Sequence, residues 1–292
     1  MTAIVDLALQ SSAFYLSLVF VVSLMVGSFL NVVIYRLPIM MERSWQQEYQ
    51  GYFDPDTEVG ENETFNLIKP DSTCPKCQHK IRAWENIPVI SYLFLRGRCS
   101  GCGTAISVRY PLVELFTALA CTLAAWHFGP TAQGVCAVFI TYILIACIFI
   151  DLDKMLLPDQ LTLPLMWLGL LVSTQALFVG TSDAIWGAAV GYLSLWSVYW
   201  LFKLVTGKEG MGYGDFKLLA ALGAFTGWQG LPIIIILSSC VGAVIGITLM
   251  IVQKKDSTLA IPFGPYLAIA GWLTLLYKDN IITGYMTWVF GA

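Results

Sequence analysis

The stretch MGYGDFK, residues 211–217, sets one carboxylate, Asp215, between a glycine-rich turn and an apolar run that continues over 218–225 and beyond. An ionisable side chain at the mouth of a membrane helix is costly and needs a reason. Gly212 and Gly214 remove side chains close to that acid, so backbone or substrate can approach it. One acid alone does little hydrolysis, so a partner is expected. The best placed is Asp151, where the apolar run 135–150 meets IDLDK at 150–154.

Working outward, composition settles the class. The chain has 292 residues, of which 57% are hydrophobic and 12% charged, and its mean hydropathy is +0.71. A soluble domain is roughly 45–50% apolar and about 25% charged. Several runs reach the ~20 apolar residues that a helix needs to cross a bilayer. The expected fold is an all-α polytopic membrane protein. The net charge of −3 carries no sign of a nucleic-acid partner, because the charges are concentrated in one loop.

The first apolar run, 12–35, is longer than a signal-peptide core and lacks a positive n-region, so it reads as a first span. Near its end Ser28 and Asn31 share one helix face. Such small and polar residues pack helix against helix, or Asn31 contacts substrate. Residues 36–110 form the one large polar segment and hold nine of the sixteen Lys and Arg residues. By the positive-inside rule this segment is cytoplasmic, so the sequon at 62–64 is a chance match.

Seven more spans are expected at about 111–128, 135–150, 160–178, 185–202, 212–227, 231–252 and 260–277, making about eight in all. Lys154, Lys203, Lys208, Lys254 and Lys255 fall in turns expected inside, and Lys278 alone breaks the pattern. The tail 281–292 is too short to cross and is expected to lie along the interface. No internal repeat at a fixed period is visible.

This topology brings Asp151 and Asp215 to the cytoplasmic rim at similar depth. Two carboxylates held close share a proton, so one can activate water while the other polarises a carbonyl. Two other acids compete for the role of partner. Asp153 lies about 200° round a helix from Asp151, and Asp159, after Pro158, is placed to cap the next helix. Alternatively, the rim acids only cap helices or meet Lys154 and Lys217.

The cysteines are more specific. Cys74 and Cys77, then Cys99 and Cys102, form two C-x2-C pairs with the spacing of a zinc ribbon. Four thiolates complete a closed tetrahedral site, so the zinc would be structural. A disulfide or redox role is the competing reading, and a cytoplasmic loop disfavours it. Cys121, Cys136, Cys147 and Cys240 lie in apolar runs and read as packing residues. Glu114 stands alone inside the second span. It is either functional or satisfied by a neighbour such as Arg109, a Ser or a Tyr.

Taken together, GSFLNVVIYRLP (27–38), the paired C-x2-C loop, RYPLVE (109–114), IDLDKMLLPD (150–159), GYGDFKLLAALGAFTGW (212–228) and PFGPYLAIAG (262–271) resemble the bacterial type IV prepilin peptidases. These are bifunctional leader peptidases and N-methyltransferases of the GxGD aspartyl class. The resemblance implies that Asp151 and Asp215 are the catalytic pair and that the four loop cysteines are the tetracysteine motif. It also implies a prepilin or pseudopilin substrate cut after glycine at the cytoplasmic face of the inner membrane. The new N-terminus would then be methylated from S-adenosylmethionine. No residue pattern supports the methyl transfer independently; Glu114 and Asn31 are candidate contacts for it. The implied division is a first transmembrane helix at 1–35, a cytoplasmic zinc loop at 36–110 and a seven-helix peptidase core at 111–292. An ion-coupled transporter would also place acids in spans, and a membrane anchor would use the zinc loop to recruit partners. Neither explains the glycines beside Asp215 together with the cysteines.

Overall fold

A computed structural model describes residues 2–53, 65–253 and 261–291. The sequon at 62–64 and the loop residues Lys254 and Lys255 lie outside these. The described residues are helical and contain no strand, only two isolated β-bridges. The helices are α1 (Thr2–Gln10), α2 (Ser12–Phe53), α3 (Ile90–Phe94), α4 (Arg109–Phe128), α5 (Ala132–Lys154), α6 (Asp159–Ser173), α7 (Thr181–Thr206), α8 (Tyr213–Thr226), α9 (Leu231–Gln253) and α10 (Gly264–Phe290). The chain divides into two compact units, Met1–Tyr142 and Ile143–Ala292.

In the first unit α2 packs along α4. The absence of a side chain at Gly27 permits this, since a Cβ there would stand 2.8 Å from the Glu114 Cα. The Tyr15 hydroxyl donates to the Gly129 carbonyl (3.1 Å), and the Ser23 and Tyr142 hydroxyls bond at 2.8 Å. The expected first span ends at 35, but α2 runs on through Pro38 to Phe53. At 1.5 Å per residue its 42 residues extend about 63 Å, twice the hydrocarbon thickness of about 30 Å. Hydropathy reading stops where polar residues begin. Backbone hydrogen bonding does not, and burial ends at Met41 while the helix continues exposed. Arg36, itself buried, ties the following loop down, donating to the carbonyls of Asn66 (3.0 Å) and Pro70 (2.6 Å).

In the second unit the central element is α8, which α6, α7 and α10 surround. Asp215, Phe216 and every residue from Leu218 to Thr226 are buried. A helix apolar on all sides must be enclosed, and glycines on its neighbours make this possible. A Cβ at Gly187 of α7 would overlap the Gly223 carbonyl of α8, and one at Gly191 would stand 2.8 Å from the Leu219 oxygen. Gly169 of α6 meets Ala224, and Gly271 of α10 meets Leu222, in the same way.

Every expected span coincides with a helix, but five helical stretches are long and apolar enough to cross a membrane: Ser12–Phe53, Arg109–Phe128, Ala132–Lys154, Thr181–Thr206 and Trp228–Val252. Of the other three expected spans, α6 has 15 residues and α8 has 14, short of the ~20 a crossing needs. The third, α10, is long enough at 27 residues but carries Lys278 and Asp279. The expected separate tail is absent, because α10 continues unbroken to Phe290. Lys278, the exception to the charge pattern, donates to the Thr226 carbonyl at the end of α8 (3.2 Å). A cation there complements the helix dipole and satisfies a terminal carbonyl.

Candidate active site

Asp151 lies in the last turn of α5 and is 5% exposed. Because α5 continues to Lys154, Asp153 stays about 200° away around the helix and is exposed. The helix ends at Met155, whose φ is 51°, and the chain then turns through Leu157 and Pro158, both buried. Asp159 opens α6, but it is the first residue inside the helix and does not cap it. Its carboxylate instead takes the Lys217 ammonium at 2.7 Å on both oxygens, joining the starts of α6 and α8. The expectation that Asp159 caps is thus replaced by one of the ion pairs considered for the rim acids.

Asp215 is the third residue of α8 and is 8% exposed. Its Oδ1 is buried and has no hydrogen-bond partner among the described residues. A buried polar atom left this way is costly unless a proton or a ligand completes it. The preceding glycines differ. A Cβ on Gly214 would lie 2.6 Å from the Leu157 Cβ, so that position has no room for a side chain. A Cβ on Gly212 would approach Asp215 Oδ2 no closer than 3.8 Å, leaving that exposed side open. Behind Asp215 the Phe216 ring sits edge-on among Tyr192, Tyr199 and Tyr213, at centroid distances of 5.9, 5.6 and 5.4 Å, which fixes the first turn of α8.

Leu157 links the two acids. Its Cβ faces Gly214, and its Cδ1 would stand 3.1 Å from a Cβ on Gly264. The Gly264 N–H, at the first residue of α10, donates to Asp151 Oδ2 at 3.0 Å. Gly214, next to Asp215, and Gly264, the partner of Asp151, thus both pack against Leu157. The two carboxylates therefore come to one place, between the end of α5 and the starts of α8 and α10. Sequence reading missed Gly264, although the signal was present: PFGP, with proline at the second helical position, marks a helix start.

Glu114 and Asn31 lie in the first unit. Glu114 is buried; the Val89 N–H donates to its Oε2 at 2.8 Å, and the Ser28 hydroxyl bonds the same carboxylate. Asn31 Nδ2 donates to the carbonyls of Gly27 (3.3 Å) and Tyr110 (3.2 Å). Both side chains thus bind α2, α4 and the loop together.

The loop cysteines converge. The sulfurs of Cys74, Cys77, Cys99 and Cys102 all lie within 4.8 Å of one another. The Cys74–Cys102 and Cys77–Cys99 separations are 3.9 Å. A tetrahedral ion with S–metal bonds near 2.3 Å requires sulfurs about 3.8 Å apart, so the residues fit zinc. Two turns of matching geometry build the site. The Cys74 N–H bonds the His79 carbonyl as the Cys99 N–H bonds that of Thr104, and the bridges Thr73–Lys80 and Arg98–Ala105 close the two turns. Gln78 (φ 59°) and Gly103 (φ 71°) occupy equivalent left-handed positions. This local repeat escapes a search for periodic sequence because few side chains recur in it.

The thiols do not ionise alike. The Thr104 hydroxyl and N–H hold the Cys102 thiol down to about 6. The His79 N–H favours a thiolate at Cys77, but burial and the sulfurs of Cys102, Cys74 and Cys99 outweigh it and push that thiol up to about 12. Four thiolates this close need a cation. Beside them Glu85 accepts from the Arg82 N–H (2.8 Å), the Ser100 hydroxyl (2.6 Å) and His79 (3.2 Å), which hold its carboxyl down to about 2. His79, whose Nε2 lies 3.2 Å from the Ser100 hydroxyl, therefore joins one cysteine turn to the other.

Known proteins match this sequence over nearly its whole length. Residues 21–128 match the bacterial peptidase A24 N-terminal domain, and residues 138–247 match the type IV leader peptidase family. A prepilin leader peptidase/N-methyltransferase of Aeromonas hydrophila is 58% identical over 287 residues, covering 98% of this chain and 99% of that one. The protein of the same name from Pseudomonas aeruginosa is 57% identical over 263 residues, 90% of each chain. The one from Neisseria gonorrhoeae is 46% identical over 278 residues, covering 95% of this chain and 96% of its own. No solved structure matches. With identities this high over nearly its whole length, the chain belongs to the type IV leader peptidase family.

Proposed function

We propose that this protein removes the leader from prepilins or pseudopilins and N-methylates the residue thereby exposed. The observation that carries the reading is the gathering of Asp151 and Asp215, both buried, around Leu157 in a chain of this family. One carboxylate takes a proton from water while the other, protonated, polarises the scissile carbonyl; their roles reverse as the tetrahedral intermediate collapses. Gly212 leaves the approach to Asp215 open, and Gly214 lets Leu157 close the other side. A transporter using the same acids would leave the cysteine site unexplained and has no counterpart among the names of the relatives.

The reading extends to topology and cofactors. It has eight membrane-embedded helices, α2 and α4 to α10, of which the short α6 and α8 are held by their neighbours. Both termini lie outside, and the acids open to the cytoplasmic face of the inner membrane. The divisions 1–35, 36–110 and 111–292 follow, with the exposed end of α2 belonging to the cytoplasmic part. Cys74, Cys77, Cys99 and Cys102 hold a structural zinc ion, and metal removal lowers both activities by loosening the loop; unchanged activity in metal-free protein would sink this. S-adenosylmethionine donates the methyl group. The contacts of Glu114 and Asn31 support a packing role for both rather than one in methyl transfer.

Cleavage of a purified prepilin in detergent tests the pair. Asp151→Asn and Asp215→Asn, each folded, should lose at least about 10³-fold in rate, of the order that removing such a group costs. Asp153→Asn should cut normally. Wild-type cutting by either of the first two variants would end the assignment.

A further inference from the structure

The start of α10 has an unusual accounting of donors. The first N–H groups of a helix lack partners within it. Here Tyr266 and Leu267 both turn theirs back to the Phe263 carbonyl, at 3.1 and 3.2 Å, and Pro265 has none. Gly264 has its N–H left over, and that group meets Asp151 Oδ2 at 3.0 Å in a buried setting. The same residue has no space for a side chain: a Cβ would stand 2.6 Å from that oxygen, 3.1 Å from the Asp151 Cγ and 3.1 Å from Leu157 Cδ1. Its φ is not in the left-handed region, so glycine is not demanded by backbone conformation.

We propose that Gly264 is a positioning residue for Asp151, holding one carboxylate oxygen against the helix start so that the other is presented to Asp215 and the substrate. This rests on the dyad reading above. The helix end contributes a positive partial charge as well as a donor. Adding a methyl group would turn the carboxylate away and break the bond, displacing Asp151 by about an ångström while leaving its chemistry intact. Misplacement on that scale costs on the order of 10²-fold in rate.

The test compares wild type, Gly264→Ala, Gly284→Ala and Asp151→Asn in the full-length protein. Cleavage kcat and KM are measured together with methylation of a pre-cut substrate. Gly284, on the same helix with nothing within 4 Å of its Cβ position, is the control. Gly264→Ala should lose about 10²-fold in kcat, with KM and methylation near wild type. An unchanged kcat, or a joint fall in kcat, substrate binding and methylation, would overturn the inference. Continued cutting by Asp151→Asn would instead remove the dyad reading, so the two failures are distinguishable. Thermal unfolding supplies an independent arm. Gly264→Ala should lower Tm in wild type but have little effect in an Asp151→Gly background, where the obstructing carboxylate is gone. Equal destabilisation in both backgrounds would also overturn it.

Discussion

In the loop between α2 and α4, order comes from directed bonds. Arg36 reaches two carbonyls, Glu85 takes three donors, and four sulfurs face one point. Around α8 order comes from shape, with glycines on α6, α7 and α10 removing whatever would hold the helices apart. The loop's large apolar residues Ile68, Leu93 and Phe94 are exposed, so hydrophobic burial cannot organise it. The membrane helices have the opposite problem. Lipid is as apolar as their side chains, so close contact, rather than escape from water, must hold them together. One chain therefore uses two sources of stability, and each region should be sensitive to what the other tolerates.

The largest contrast should come from metal removal. Structural zinc contributes on the order of 10 kcal/mol to the folding of small domains. Chelation should expose residues 65–108 to limited proteolysis while leaving the protection of α7 and α8 unchanged; equal loss in both regions would break the comparison. Next in size is Gly187→Val. A side chain there meets backbone on α8, and overpacking costs about 3 kcal/mol or more where nothing can yield. The variant should lose thermal stability with its zinc still bound. If Gly187→Val is as stable as wild type, close packing is not what holds α8. A smaller effect is expected from Lys278→Met, which keeps the apolar stem and removes the cation at the end of α8, costing about 1 kcal/mol. The smallest should be Asp159→Asn. It weakens a half-exposed pair worth at most about 1 kcal/mol and should alter Tm slightly or not at all.

The two regions were also unequally legible. The spacing of the cysteines pointed to their convergence, because C-x2-C is a local geometry that survives without knowledge of the rest of the fold. Each apolar run coincides with a helix, but run length misjudged what each can do. The 14 residues of α8 cannot cross a bilayer unaided, and the polar end of α2 remains helical although it is exposed among the described residues. Side chains with distant partners were harder. Glu114 showed as an isolated acid, yet Val89, which satisfies it, is 25 residues away in the loop. Gly264 is 113 positions from Asp151, and a backbone N–H leaves no trace in residue type. Lys278 appeared as an exception to a charge rule until Thr226 was seen beside it.

That lysine and that glycine belong to the same helix, and this bears on how the molecule is made. Because α10 supplies both the N–H that meets Asp151 and the ammonium that meets the far end of α8, neither contact forms until α10 has been synthesised and docked. A nascent chain carrying α2 to α9 would hold Asp151 without its backbone donor and the end of α8 without its cation. Asp151 thus gains its backbone donor only with the last described helix to leave the ribosome.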